Sequence, residues 1–130
     1  MADRGSKADR AARAKMRVLY VEDEPLIAME TEDALLDLGF RHVSMCHTFD
    51  QANSIVQTAR FDLAILDMNL NGTLSAPLVK NLREAGTAVV VATGYDLEDI
   101  AGDDASIAFV RKPFGLQMLD EAIHTAIASA

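Results

Sequence analysis

One cysteine, three histidines and no tryptophan in 130 residues leave few of the usual metal and redox chemistries open. The lone Cys46 excludes an internal disulfide and a cysteine zinc cluster. It falls in an expected strand, where a free thiol is ordinarily a core residue. His42, His47 and His124 show no ligand spacing, so imidazole metal binding is not expected. No apolar run approaches the roughly 18 residues that a membrane-spanning helix needs, and the charged N-terminus lacks a secretory apolar core. The cytoplasm is therefore the expected location, with no membrane partner. Basic charge is scarce beyond the first residues. Residues 1–17 hold six Lys/Arg against two Asp/Glu, and the rest hold six against eighteen, for a net charge of −8. An acidic body argues against direct nucleic-acid binding, which needs a basic face. Residues 1–15, with Arg4, Lys7, Arg10, Arg13 and Lys15, are expected to form a flexible, solvated basic extension ahead of one domain over 16–130. The alternatives are an arm that touches a partner, or an upstream extension before a start at Met16.

What the chain does have is half its residues apolar and a quarter charged, enough to bury a proper core. Apolar runs alternate with amphipathic segments from end to end. Arg17–Val21, His42–Met45, Leu63–Leu66, Ala88–Ala92 and Ile107–Val110 read as strands. Pro25 opens a helix whose face carries Ile27, Thr31, Ala34, Leu35 and Leu38, and Gly39 stands where a helix end wants glycine. Thr48 followed by Gln51 resembles a capping box. Ser75 and Pro77 start a third helix, and the last follows Pro113. Residues 94–106 break the regularity, with only Leu97, Ile100 and Ala101 as an apolar face, so that connection is expected to be the least ordered. Strands alternating with helices mean a parallel sheet with right-handed crossovers. At about 20–25 residues per unit the open doubly wound α/β sheet fits and a closed eight-stranded barrel does not.

In such a sheet the carboxyl ends of the strands line one edge, where α/β proteins place their sites. The first strand runs into Glu22-Asp23-Glu24, the third into Asp67, the fourth into Thr93, and the fifth is followed by Arg111-Lys112-Pro113. The second ends in His47-Thr48 and brings no acid. Three carboxylates side by side repel one another, and a hard divalent cation such as Mg2+ relieves the conflict. Asp67, at the tip of a rigid strand and ahead of the turn residues Asn69, Asn71 and Gly72, is placed as a nucleophile should be. Lys112 brings an ammonium on a flexible stem that can pair with Asp67 at rest and with a phosphoryl oxygen afterwards. The bond to Pro113 is one at which a cis peptide is available. Thr93 offers a hydroxyl donor, with Gly94 leaving room beside it. The set suits a cation-assisted carboxylate that takes up a phosphoryl group.

Over residues 16–130 the chain resembles the receiver domain of bacterial two-component response regulators. The matching stretches are Val18-Leu19-Tyr20-Val21-Glu22-Asp23-Glu24-Pro25, Leu66-Asp67-Met68-Asn69, Val91-Ala92-Thr93-Gly94 and Arg111-Lys112-Pro113-Phe114. The resemblance implies a flavodoxin-like (βα)5 fold with strand order 2-1-3-4-5 and helices on both faces. It implies that Asp67 accepts a phosphoryl group from a phosphohistidine on a sensor histidine kinase or phosphotransfer protein. Glu22, Asp23, Asp67 and the Asn69 backbone carbonyl would bind Mg2+. Thr93 and Lys112 would contact the phosphoryl oxygens, and Thr93 and Phe109 would form the switch. Two features depart from the family's pattern. Leu70 stands where proline is frequent, and the interval from Thr93 to Lys112 is short. Ala92-Thr93-Gly94-Tyr95 is similar to the motif of the "FAT GUY" single-domain receivers, whose fourth helix is short or mobile, although Val91 replaces phenylalanine.

The expected function is a stand-alone phosphorylatable receiver, not an enzyme on separate substrates, which signals by contact with a downstream protein. A homodimer on phosphorylation is a further family expectation. Two rivals stand beside this reading. One is a Mg2+-dependent phosphohydrolase, against which Asn69 stands where an aspartate is wanted two residues after the nucleophile. The other is an unphosphorylated docking module of the same fold.

Overall fold

The computed structural model describes residues 7–70, 72–94 and 107–130. In chain order these form α1 (Lys7–Lys15), β1 (Arg17–Val21), α2 (Pro25–Asp37), β2 (His42–Cys46), α3 (Phe49–Val56) and β3 (Leu63–Asp67). A hairpin of β4 (Asn69–Leu70) and β5 (Thr73–Leu74) follows, then α4 (Ala76–Glu84), β6 (Ala88–Thr93), β7 (Ile107–Arg111) and α5 (Leu116–Ser129). The main sheet runs β2-β1-β3-β6-β7, with all pairs parallel. With the hairpin set aside this is the expected order 2-1-3-4-5. The hairpin itself was not expected. The expectation of a short or mobile fourth helix concerns residues 95–106, which lie outside the described residues, as do residues 1–6 of the basic start.

Side chains alternate across a strand, so each face of the sheet takes every second residue. Val18, Tyr20, Leu63, Ile65, Val90 and Val110 pack with Leu35 of α2 and with Leu119 and Ile123 of α5. Leu19, Val21, Ala64, Leu66, Val89 and Val91 pack on the other side, with Ala52 of α3 and Leu78 and Leu82 of α4. Both faces of β3 are therefore dry, which is why Leu63–Leu66 is an unbroken apolar run. The register keeps the strand ends level: Val21 lies opposite Leu66, Asp67 opposite Ala92, and Thr93 opposite Arg111. Four polar strand ends thus meet at one edge.

The helix signals take definite form. Pro25 occupies the first turn of α2. Thr48 Oγ1 accepts from the Gln51 N–H at 3.1 Å, while Gln51 Oε1 accepts from the His47 N–H at 2.8 Å, one residue before the usual reciprocal partner. Ser75 does not cap α4 with its side chain; its hydroxyl donates to the Met68 carbonyl at 3.1 Å and ties down the hairpin. Gly39 ends α2 at φ +107°, which the backbone reaches readily only with glycine, and a Cβ there would lie in contact with the Arg10 Cα at 3.4 Å.

That close approach marks the main correction to the sequence reading. Residues 7–15 of the expected flexible extension instead form the helix α1, largely exposed but fastened to the core through Arg13. Arg13 is 4% exposed. Its Nη2 pairs with Asp120 Oδ1 of α5 at 2.6 Å, its Nη1 donates to the Leu38 carbonyl at 3.1 Å, and its guanidinium lies 5.3 Å over the Phe40 ring. Arg10 adds a bond to the Asp37 carbonyl at 3.0 Å. The composition of α1 looks like a tail because two arginines, rather than an apolar stripe, hold it. Among the described residues no helix is long and apolar enough to cross a membrane.

Asp120→Ala strands a buried guanidinium without its carboxylate, and urea unfolding is expected to show a loss of about 3 kcal/mol. The double variant Arg13→Met with Asp120→Leu should recover most of it, since an apolar pair of similar volume replaces the ions. Equal stability of the single variant and the parent would mean that α1 is not fastened this way.

Candidate functional site

The acids converge because β1 and β3 are neighbours whose ends are level. Glu22, Asp23 and Asp67 each offer a carboxylate oxygen, and these lie within 4.8 Å of one another. Glu22 is 2% exposed, whereas Asp23 and Asp67 keep partial access to solvent. Continuing the strand alternation places Glu22 and Asp67 on the α2/α5 side of the sheet, and Asp23 and Thr93 on the α3/α4 side.

Lys112 resolves part of the repulsion. Its Nζ lies 2.6 Å from Asp67 Oδ2 and 2.9 Å from Glu22 Oε1. Its backbone N–H donates to the Thr93 carbonyl at 2.7 Å, which pins the base of the stem to the end of β6. The Lys112–Pro113 peptide that follows is cis. Burial pulls the ammonium's pKa down, but the bonds to Asp67 and Glu22 outweigh it and the net direction is up. Burial pushes the Glu22 carboxyl up; Lys112 and the Glu24 N–H oppose this, the Asp67 charge adds to it, and the net direction is again up. One ammonium shared between two acids leaves the set short of positive charge.

The loop after Asp67 is built to hold its shape. The Asn69 N–H points at Asp67 Oδ1 at a long 3.4 Å, and Asn69 Oδ1 accepts from the Gly72 N–H at 2.7 Å. Gly72 has φ +92°. Leu70, where the family often has proline, is 3% exposed and joins the second core cluster, so the hairpin is plugged by an apolar side chain. Thr93 is buried, with its Oγ1 3.9 Å from the Met68 sulfur. Phe109 is half-buried and lines a groove of about 500 Å3 with Met68, Val79 and Val91. Thr93 and Phe109 thus share the α3/α4 side, across the sheet from the Lys112 ion pairs.

Four contacts escaped the sequence reading. The reach of Lys112 to Glu22 depends on the longer acid at that position, a difference visible in the residue type but not in its direction. His47 Nδ1 lies 3.2 Å from the Glu22 carbonyl, and the Glu22 N–H donates to the Cys46 carbonyl at 3.0 Å, so the end of β2 braces the acids without contributing one. The Met68 contact to Thr93 has no sequence signal at all.

The donor set fits Mg2+. Oxygens on opposite sides of an octahedral Mg2+ stand about 4.2 Å apart. Only one pair of three ligands can be opposite; adjacent ones stand about 2.9 Å apart, so carboxylate oxygens within 4.8 Å of one another are near enough to draw in around the ion by side-chain movement. The partners are all hard oxygens, and the buried acids hold negative charge in excess of the one lysine.

Comparison with known proteins gives a consistent picture. The sequence pattern of the family described as "Response regulator receiver domain" matches residues 18–124. Transcriptional regulatory protein PdtaR of Mycobacterium tuberculosis is 30% identical over 128 residues, which are 95% of this chain and 62% of PdtaR. Phyllosphere-induced regulator PhyR of Methylorubrum extorquens is 31% identical over 108 residues, 80% of this chain and 40% of PhyR. The chain thus spans less than two thirds of either curated relative. The solution structure of SdrG from Sphingomonas melonis Fr1 superposes with a TM-score of 0.74 at 33% identity, covering 88% of this chain and 98% of SdrG.

Lys112→Met removes the shared cation and sets Glu22 against Asp67. Urea unfolding at pH 7 is expected to show a loss of about 2–3 kcal/mol, at the low end for a broken buried pair because the lysine keeps some solvent. The loss should shrink toward pH 5, because Glu22, already raised, takes up a proton more readily folded than unfolded. In the unchanged protein the Lys112 contribution is complete below its ordinary value of about 10.4 and disappears as pH rises through its raised folded value.

Proposed function

Because the chain belongs to the response regulator receiver domain family, we propose that it accepts a phosphoryl group on Asp67 and passes the signal on by protein contact. The donor is a phosphohistidine on a sensor histidine kinase or a histidine phosphotransfer protein. The observation that carries this reading is Asp67 itself: a partly accessible carboxylate at a rigid strand end, one oxygen on a lysine, and two further acids within 4.8 Å. The fold is a signalling module; its contribution to its own phosphorylation and dephosphorylation is part of this proposal.

An Asp67 oxygen forms the new P–O bond while the P–N bond to the donor imidazole breaks, and the imidazole leaves as the neutral base after taking a proton. Glu22, Asp23, Asp67 and the Asn69 carbonyl would hold Mg2+, which when bound would supply charge neutralisation for the transferring group. Lys112 moves from the Asp67 carboxylate to a phosphoryl oxygen, which its flexible stem allows and its pinned backbone guides. Thr93 exchanges the Met68 thioether, a weak acceptor, for a phosphoryl oxygen, a strong one. Phe109, on the same side of the sheet, responds to that movement. Moving such a switch from 1:99 to 99:1 takes about 5.5 kcal/mol, within reach of a dianion with two charge-assisted partners.

A protein partner is supported beside the site. Leu26 and Met29 of α2 are 76% and 64% exposed, and Leu116 and Met118 of α5 are 48% and 49% exposed. Leu116 lines, and Leu26 and Met29 adjoin, a groove of about 470 Å3 between the two helices that runs up to Lys112, whereas Met118 lines a separate cleft with Phe109 and Arg111. Apolar side chains grouped next to a reacting carboxylate suit a helical donor protein. The downstream target is a further protein, and self-association on phosphorylation belongs to the same reading.

Intact mass after incubation with acetyl phosphate and Mg2+ is expected to show one phosphoryl adduct, absent without Mg2+ and absent in Asp67→Ala. An unmodified wild-type protein that also fails to bind Mg2+ by calorimetry would sink the phosphoacceptor reading.

A further inference from the structure

Beneath the acids lies a buried polar atom that the reading so far does not use. Tyr20 is 2% exposed, in the middle of β1, and among the described residues its hydroxyl has no hydrogen-bond partner. A buried orphan hydroxyl is costly, and its persistence calls for an explanation. Tyr20 pairs in register with Ile65, so it sits one same-face step below Glu22 on its own strand, as Ile65 sits below Asp67 on the next. Successive same-face residues are about 6.6 Å apart along a strand, a span that a tyrosine directed toward the strand end can cover. Its environment agrees with that direction. Burial and the Glu22 and Asp67 charges raise the phenol's pKa, and the Thr31 hydroxyl, near the phenol but outside hydrogen-bonding geometry, lowers it.

At rest Glu22 Oε1 is occupied by Lys112, and Glu22 Oε2 accepts only the Glu24 N–H, at 3.3 Å. When Lys112 leaves for the phosphoryl group, Glu22 Oε1 loses its donor; a cation that takes one Glu22 oxygen still leaves the other to be satisfied, and the carboxylate stays almost wholly buried. A nearby donor with nothing to bond then has an obvious acceptor. We propose that Tyr20 is a positioning residue of the phosphoryl site, whose hydroxyl is unpaired at rest and donates to Glu22 once Lys112 has moved to the phosphoryl group. The inference rests on Asp67 being the phosphoacceptor. No bond is made or broken covalently; one hydrogen bond, from Lys112 to Glu22, is replaced by another, from Tyr20. The new bond exists only in the phosphorylated state, so it favours that state and holds Lys112 away from Glu22. In the resting state Tyr20 has only packing to contribute.

The test uses the full chain with Mg2+ and beryllium fluoride, a stable stand-in for the phosphoryl group. Tyrosine labelled with 13C at the ζ carbon is followed by NMR, and the Tyr20 signal is the one missing from Tyr20→Phe. In the wild type that signal is expected to move on adding beryllium fluoride, and to stay in place in Asp67→Ala. Tyr20→Phe should unfold at the same temperature as the parent or higher, yet bind beryllium fluoride about tenfold more weakly, the equivalent of one charge-assisted hydrogen bond. Wild type that binds beryllium fluoride with an unmoved Tyr20 signal, or with unchanged affinity in Tyr20→Phe, would overturn the role of Tyr20 and leave the phosphoacceptor reading standing. Wild type that neither binds beryllium fluoride nor takes a phosphoryl adduct would remove both.

Discussion

Two carboxylates, Glu22 and Asp67, share one ammonium at the ends of adjacent strands, and the arrangement of the edge follows from that shortage of positive charge. Glu22 is almost sealed from water, so its charge is tolerable only with a partner. Lys112 can be that partner because its backbone is bonded to the end of β6, which carries the stem across the intervening strand. The result is a site that is intact yet unsatisfied. It holds together without further cations and remains strongly disposed to take one. The excess negative charge that would destabilise an ordinary core is here what suits the set to a divalent cation.

The sheet divides the site into two compartments. Strand alternation sends Glu22, Asp67 and Lys112 toward the face covered by α2 and α5, and sends Asp23, Thr93 and Phe109 toward the face covered by α3 and α4. Asp67 lies at the boundary. The backbone bond from Lys112 to the Thr93 carbonyl, 2.7 Å long, joins the two compartments directly. A change at the carboxylate therefore reaches a charged network on one side and a hydroxyl, a thioether and an aromatic ring on the other. The exposed apolar side chains of α2 and α5 lie on the first side, and the groove beside Phe109 lies on the second. Under the proposed function, donor docking and output would fall on separate surfaces of a small domain.

The parts of the fold legible in the chain were those with a strong periodic or positional signal. The five strands of the main sheet read correctly because their apolar runs are bounded by turn residues. Thr48 and Gln51 signalled a helix start, and Gly39 a helix end. The N-terminal segment misled because burial of a guanidinium leaves no apolar stripe to detect. Its fastening depends on Asp120, 107 residues away in the chain. The hairpin after Asp67 escaped because its strands are two residues each, too short for any alternation to show. Leu70 marked the departure from the family's usual loop, but only its burial explains it.

At the site, the sequence by itself determined which chemical groups would stand at the strand ends and that these ends would share one edge. Residue type and strand parity are local properties, carried by a few neighbouring positions. Only the tertiary structure decided how those groups are partnered. It gave Lys112 two acids instead of one, set His47 behind Glu22, parked Thr93 against Met68 and left the Tyr20 hydroxyl without a bond. Each of these depends on distances between strands that are remote in the chain, and on which polar group is near enough when water is excluded. Hydrogen bonds and ion pairs act over a few ångströms, and that scale is fixed by packing rather than by order along the chain.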